Sequence, residues 1–569
     1  MARSKNLVDS TAADGGRVLQ SFLRNGEPYR PVAVLWGNRS TIAAMTTAKT
    51  SRSHPLRVDN LAIGGLSGVI GLTFCPGKKQ RGALSGDWDR DLAADLEAIK
   101  CSGAQALVTL METDELTAVR VPVTELGEKA ASIGLEWHHL PIRDVDVPDE
   151  RFEDLWTYSG IRLRSLLVKG EKVVIHCLGG LGRTGTIAGR LLVEFGVTSS
   201  DAISAIRSAR AGTIETRKQE EYVNNCKPLA SARMARSREE KVLGVLLGGA
   251  VGDAFGYEVE FDSIIKIRSR FGASGITEPI LHNGKLIVSD DTQMTLFTLE
   301  GILQALSKGG LSVKSFVDSI RLAYLDWLRT QGGSVGGKGW LAAQPEMHAR
   351  RAPGNTCMSA LDAGGKGSIN HPLNNSKGCG GVMRVAPIGL VSKGLKPGQT
   401  FQLAAETAAC THGHPSGYLS AGAMAAMVRF LAEGADLRSA ADQSLAILRS
   451  YDRHEETEAA IKKAIALAGQ SCGDRAAAVE TLGGGWVGEE ALAIGLYAAL
   501  SARSFVEAIR IATNHSGDSD STAAIAGQLW GAMNGLDDIP HTWVSALDVL
   551  LPLLHLARQL FGDLSAPSC

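Results

Sequence analysis

The sequence predicts a multidomain chain, an N-terminal α/β part with a parallel central sheet followed by an all-α part. Three observations carry this. Up to residue 227, short apolar runs alternate with helix-like stretches, the pattern of strands joined by crossover helices. After Lys241, Ala-rich helical segments between Gly-rich loops take over, with no convincing series of strands. Between them lies PLASARMARSREE (228–240), polar and rich in small residues, which reads as a linker.

Taken in order, residues 1–55 are weakly patterned and rich in Ser, Thr, Ala and Arg, a weakly ordered lead-in. In the domain assigned to 56–227, ALVTLM (106–111) has strand length and ELGEKAASIG (125–134) follows as a helix. LEWHHLPI (135–142) and KVVIHC (172–177) are further strands. A Gly-rich loop at 178–182 leads into TIAGRLLVEFG (186–196), whose apolar residues recur at helical spacing. In the domain assigned to 241–569, SAGAMAAMVRFLAEG (420–434), EETEAAIKKAIALAG (455–469) and EEALAIGLYAALSA (489–502) are helices.

Composition narrows the function classes. The chain has 569 residues, and its 44% hydrophobic content is globular. Lys+Arg (59) and Asp+Glu (60) nearly cancel, so bulk charge gives no clear nucleic-acid or membrane signal. The N-terminus, MARSKNLVDSTAADGG, lacks the apolar core of a secretory signal. The longest apolar stretch, from Val242, is broken by Asp253, short of the ~20 residues a membrane span needs. Nine scattered cysteines form no CxxC pair, which fits a reducing compartment and a cytoplasmic setting.

Two constellations carry chemistry. In VVIHCLGGLGRTGT (173–186), Cys177 and Arg183 are separated by five residues, Gly179, Gly180 and Gly182 among them. A strand enters and a helix leaves, so the loop N–H groups and the helix N-terminus form an anion cradle. That field favours a thiolate at Cys177. Arg183 supplies a planar fork for two phosphate oxygens. Attack of the thiolate on phosphorus would give a phosphocysteine. The second constellation is a pair of acidic clusters, VSDDTQM with Ser289, Asp290 and Asp291, and NHSGDSDSTAA with Asp518, Asp520 and Ser521. Such an all-oxygen set suits Mg²⁺ or Mn²⁺, and two ions held there would position water and clamp substrate oxygens. Each cluster taken alone would serve equally as a helix N-cap.

HCLGGLGRTG resembles the signature of the cysteine-dependent dual-specificity phosphatases. GLTFCPGKK, LEWHHLPIRDVDVPDE and ARAGTIETRKQEEYV resemble their cyclin-dependent-kinase-inhibitor-3-like, or kinase-associated, branch. The resemblance implies a cysteine-phosphatase fold and a loop Asp as general acid. Asp144 is the matching position, Asp146 the fallback and Asp149 a third choice. It further implies that Thr184 assists the second step and that Gln219 helps to place the water. His176 either orients the loop or packs at the strand end.

From LGVLLGGAVGDAFGYEVEF onward, SDDTQM, RAPGNTC, GCGGVMRVAPIGL, THGHP, GGGWVGEEALAIGLY and NHSGDSDSTAAIAGQLWGAMNG resemble, in order, the ADP-ribosylglycohydrolase family, which includes the dinitrogenase-reductase-activating glycohydrolases. The resemblance implies an all-α fold and two divalent ions held by Ser289, Asp290, Asp291, Asp518, Asp520 and Ser521. Glu260, seven residues after Asp253, would meet the metals or the scissile bond, or else be a charge on a helix face. The glycine runs 378–381 and 483–485 would admit the diphosphate and adenosine close to backbone, or be ordinary loop glycines. His412 and His414 read as pocket-lining or structural. Trp486 would stack on adenine or belong to the core. The expected function is a bifunctional hydrolase, a phosphomonoesterase joined to an ADP-ribosylglycohydrolase with an ADP-ribosyl-arginine protein as its substrate. Its partners would be a phosphorylated protein or small molecule and an ADP-ribosylated protein or small molecule. The alternatives are a phosphate or ADP-ribose binding module with one domain catalytically silent, and a hydrolase of modified small molecules or nucleic acid.

Overall fold

In a computed structural model, residues 48–565 are described, apart from 84, 235, 333–338, 392–393 and 471–473. Most of the expected lead-in, residues 1–47, therefore lies outside the described residues.

The α/β part is built on a five-stranded sheet of order β1-β2-β7-β5-β6. Its strands are β1 (Asp59–Ala62), β2 (Val69–Phe74), β5 (Ala104–Thr109), β6 (Glu136–His139) and β7 (Lys172–Cys177); β3 (Lys79–Gln80) and β4 (Trp88–Asp89) form a separate small hairpin. Only β1 runs antiparallel to its neighbour. The three runs expected as strands become β5, β6 and β7, while β1 and β2 were not read from the sequence. β7 is central and buried along nearly its whole length. Its register pairs Phe74 with Cys177 and Thr109 with His176, so Cys177 ends the middle strand at the carboxyl edge, where parallel sheets place their ligands. The helix Gly182–Glu194 starts at once, aiming its N-terminus at the loop 178–181.

The C-terminal part is helical throughout, and its helix Arg238–Tyr257 begins inside the 228–240 segment. Ser237 and Glu240 form a reciprocal capping box there. This helix lies against Ser519–Asn534 along a ridge of glycines. A Cβ on Gly252 would sit 2.1 Å from the Ala523 carbonyl, and one on Gly256 2.1 Å from that of Ser519. Gly244 and Gly248 face Gly531 and Gly527 in the same way. The two backbones therefore touch, which brings the start of one helix beside the end of the other. Gly252→Ala is expected to cost on the order of 3 kcal/mol through overpacking, read as a lower thermal midpoint of the full chain.

The two parts share a polar seam. From the helix Glu150–Val168, Asp154 accepts from Arg558 Nε at 2.7 Å, and Tyr158 Oη lies 2.9 Å from His541 Nδ1. Tyr158 is buried in the C-terminal core.

Candidate active sites

The loop after β7 is organised around Cys177. The residue is buried, and the Gly180 N–H donates to its Sγ at 3.2 Å. Gly180 has φ of +71°, and a Cβ there would strike the Thr73 carbonyl, so the tight turn demands glycine. The Gly182 N–H donates to Glu215 Oε2 at 2.8 Å, and the Gly179 carbonyl accepts from Arg210. Arg183 is 2% exposed. Its two Nη atoms grip the Glu115 carboxylate at 2.6 and 2.8 Å, and Nη1 also donates to the Ile142 carbonyl.

Of the three carboxylates weighed as general acid, Asp144 reaches this group. Its Oδ1 is 2.9 Å from Arg183 Nη2, and its side chain is 61% exposed. Asp146 pairs with Lys218 and accepts from Val147 N. Asp149 caps the helix Glu150–Val168 by accepting from Phe152 N. Gln219 braces the loop's outer wall, its Oε1 accepting from Glu215 N at 3.0 Å and its Nε2 donating to the Asp146 carbonyl. The Thr184 hydroxyl is buried without a partner. His176 Nε2 lies 2.7 Å from Thr109 Oγ1, and burial pushes the imidazole down to about 3, so it stays neutral.

The two acidic clusters, 230 residues apart in the chain, meet at one point. Ser521 Oγ donates to Asp291 Oδ2 at 2.7 Å. Oxygens of Glu260, Asp518 and Asp520 all lie within 4.8 Å of one another. Glu260 Oε2 and Asp518 Oδ2 are buried without hydrogen-bond partners. Ser289 caps the helix Asp290–Ser307, its Oγ accepting from Asp291 N. Asp253 ties the first cluster to the helix Arg238–Tyr257, accepting from Ser289 N at 2.9 Å, from Thr292 N at 3.0 Å and from the Thr292 hydroxyl.

Burial raises the pKa of all six carboxylates, and in every one but Asp520 the charge on Asp520 is the next cause. Asp253 is pushed up to about 7 and Glu260 to about 9. A buried, all-oxygen set with lone pairs left over is what a hard divalent cation satisfies. The set borders a cavity of about 600 Å³, large enough for a nucleotide-sized ligand. Cys379, Gly378, Gly380 and His412 form one wall. At the mouth, Trp486 stacks on Phe261, ring centroids 5.8 Å apart, and both are exposed; Trp486 is therefore not a core residue. His414 lies outside this wall and caps the helix Pro415–Ala432.

An ADP-ribosylglycohydrolase family model matches residues 234–567. The chain belongs to the ADP-ribosylglycohydrolase family. A curated relative, the ADP-ribosyl-[dinitrogen reductase] glycohydrolase of Rhodospirillum rubrum, is 26% identical over 320 residues, which is 55% of this chain and 92% of that protein. The ADP-ribosylarginine hydrolase Tri1 of Serratia proteamaculans is 25% identical, over 57% of this chain and 79% of that protein. Ahead of the ADP-ribosylglycohydrolase region, a model for the DSP-PTPase phosphatase of polymorphic toxin systems matches residues 86–197. Cyclin-dependent kinase inhibitor 3 of Rattus norvegicus is 31% identical over 172 residues, 30% of this chain and 76% of that protein. The N-terminal region thus resembles that phosphatase type, and both parts of the chain are of hydrolase families.

Within the ADP-ribosylglycohydrolase region, sequence reasoning used Asp253 only as a spacing mark for Glu260. Its signal was present: it is the sole charge between Val242 and Tyr257. Glu115 was missed outright. It sits 68 residues from Arg183 in an ordinary helix-capping box.

Proposed function

We propose that the chain is a bifunctional hydrolase with a thiol-dependent phosphatase and a cation-dependent ADP-ribosylglycohydrolase, divided near 228–240. One observation supports the reading above others. A loop thiol flanked by a buried arginine, and a nest of unpartnered buried carboxylates on a cavity wall, occur in one chain.

In the phosphatase step, Arg183 leaves Glu115 and grips two phosphate oxygens, while loop amides take the others. Cys177 sulfur attacks phosphorus, the P–O bond to the leaving group breaks, and Asp144 gives its proton to the departing oxygen. Water then attacks the phosphocysteine, with Asp144 taking back a proton, Gln219 holding the water and Thr184 supporting the departing thiolate.

In the second site, Ser289, Asp290, Asp291, Asp518, Asp520 and Ser521 hold two divalent cations, Mg²⁺ or Mn²⁺. The bound cations supply Lewis acidity and a positioned water. Asp253 fixes the ligand-bearing helix start at Ser289 and Thr292. Glu260 closes the set on the substrate side, where it faces the ribose C1″ bond and offsets charge in an oxocarbenium-like transition state. Trp486 and Phe261 offer a stacking surface for adenine, and Gly378 and Gly380 admit the diphosphate. The name of the Serratia proteamaculans relative points to an ADP-ribosyl-arginine linkage. The described cysteines are all free thiols, which supports a reducing compartment such as the cytosol. No helix of the described residues is long and apolar enough to cross a membrane.

The test uses the purified full chain. Phosphotyrosine and phosphothreonine peptides report one activity, and ADP-ribosyl-arginine with and without Mg²⁺ or Mn²⁺ reports the other. Absence of either turnover removes that half of the reading. A second measurement follows from the raised carboxyls. Groups held above their ordinary range favour the protonated fold, so cation-free stability falls as pH rises from about 4 through about 7 to about 9. Bound cations offset that charge. Mg²⁺ is therefore expected to raise the thermal midpoint more at pH 8 than at pH 5.5, and equal gains would contradict the assignment.

A further inference from the structure

Away from both candidate sites, the seam between the two parts gathers a second set of metal-ligating side chains. Glu136 and His138 stand two residues apart on β6, hence on one face of the strand. His541 opens the helix His541–Ala546 in the other part. One donor atom from each lies within 4.8 Å of the others. His138 is 2% exposed and His541 8%. The two rings are 4.2 Å apart, centre to centre.

The hydrogen bonds decide which nitrogens are free. His541 Nε2 lies 2.8 Å from the Trp137 carbonyl. A carbonyl only accepts, so Nε2 carries the proton and the Nδ1 lone pair accepts from the Tyr158 hydroxyl, the bond an ion would displace. His138 Nδ1 meets the Ser159 hydroxyl at 3.0 Å, and its Nε2 is buried without a hydrogen-bond partner. Metal-binding imidazoles show this arrangement, one nitrogen steered by a carbonyl or hydroxyl and the other left for the ion. Glu136 is steered likewise, its two oxygens held by Arg162 at 2.6 and 3.0 Å. His138 Nε2 and Glu136 Oε2 are 3.9 Å apart, a gap that admits an ion about 2 Å from each. The Tyr158 hydroxyl, 2.9 Å from His541 Nδ1, borders the same point and can turn aside or join as a fourth ligand. A cavity lined by Glu136, Arg162 and His541 gives entry.

We propose that Glu136, His138 and His541 form a site for a borderline divalent cation of the zinc class, bridging the phosphatase-like part and the glycohydrolase part. Two imidazoles and one carboxylate prefer zinc or cobalt to magnesium. The bound ion would staple β6, which leads into the Asp144 loop, to the helix that follows Pro540. It takes no part in either hydrolysis.

The experiment uses full-length protein stripped with a chelator, then held in excess Mg²⁺ to fill the oxygen-only centre. Co²⁺ is the probe. Wild type is expected to take up one Co²⁺ per chain with visible d–d absorption, to release it to Zn²⁺, and to melt at higher temperature with Zn²⁺ than without. His138→Asn keeps a nitrogen toward Ser159 and deletes Nε2. It is expected to lose the absorption and at least about 100-fold in Zn²⁺ affinity, with phosphatase turnover retained as proof of folding. Glu136→Gln, which still faces Arg162, is the second variant and is expected to weaken binding in the same direction. Asp518→Asn is expected to keep the absorption. Absorption that survives in both seam variants, that disappears in Asp518→Asn, or that never forms in excess Mg²⁺ overturns the site.

Discussion

Replacing Cys177 by serine is expected to reduce phosphomonoester turnover by about 10⁵-fold or more and to leave ADP-ribose release unchanged. Serine fits the space and still meets the Gly180 N–H, now at an oxygen in place of the 3.2 Å contact to sulfur. What it loses is the sulfur nucleophile, and a serine hydroxyl is a far weaker one. The two candidate sites share no residue, so the second activity is an internal control. Asp144→Asn should cost less, about 10² to 10⁴-fold. Its cost should shrink with aryl phosphates, whose leaving groups need little protonation. Initial rates on phosphopeptide and aryl phosphate measure both. Turnover of Cys177→Ser within tenfold of wild type would remove Cys177 as nucleophile.

That site was legible because its chemistry is local. Strand, cysteine, glycines, arginine and helix follow one another within 173–186, so one window shows both the loop and its purpose. The partner that parks Arg183 was not legible. Glu115 lies in another helix, and its residue type and spacing say only that it caps that helix. The acidic clusters were legible as clusters, and the ordered motifs around them suggested that they meet. Their meeting joins Ser521 to Asp291 across 230 residues, and Asp253 holds the first cluster by binding Ser289 and Thr292 across 36 and 39 residues. The seam was not foreseen at all. Tyr158 and His541 touch across 383 residues, and no periodicity or propensity encodes a contact of that kind.

The second large effect concerns Asp518, and it carries two signs. Asp518→Asn is expected to abolish detectable ADP-ribose release and to weaken Mn²⁺ binding by about 100-fold. The same change is expected to raise the thermal midpoint of the cation-free protein. The reason is mutual repulsion. Once ionised, two carboxylates about 5 Å apart oppose each other by about 3 kcal/mol at an effective dielectric of about 20, and Asp518 has both Glu260 and Asp520 within that reach. Its Oδ2, buried without a partner, costs more until something positive arrives. An amide removes the repulsion and the cation together. Melting curves with and without chelator, beside a Mn²⁺ titration, measure both signs. A cation-free midpoint that falls would mean that Asp518 serves the fold rather than an ion.

The glycine ridge between Arg238–Tyr257 and Ser519–Asn534 acts as a calliper for this centre. Main-chain atoms, which have no rotamers to adjust, set the span between Asp253 on one jaw and Asp520 on the other. Leucines and alanines elsewhere in the surrounding helices can drift in size, and the melting temperature will drift with them. The spacing of these two helices stays the same, so the backbone holds Asp253 and Asp520 in place while the rest of the core varies around them.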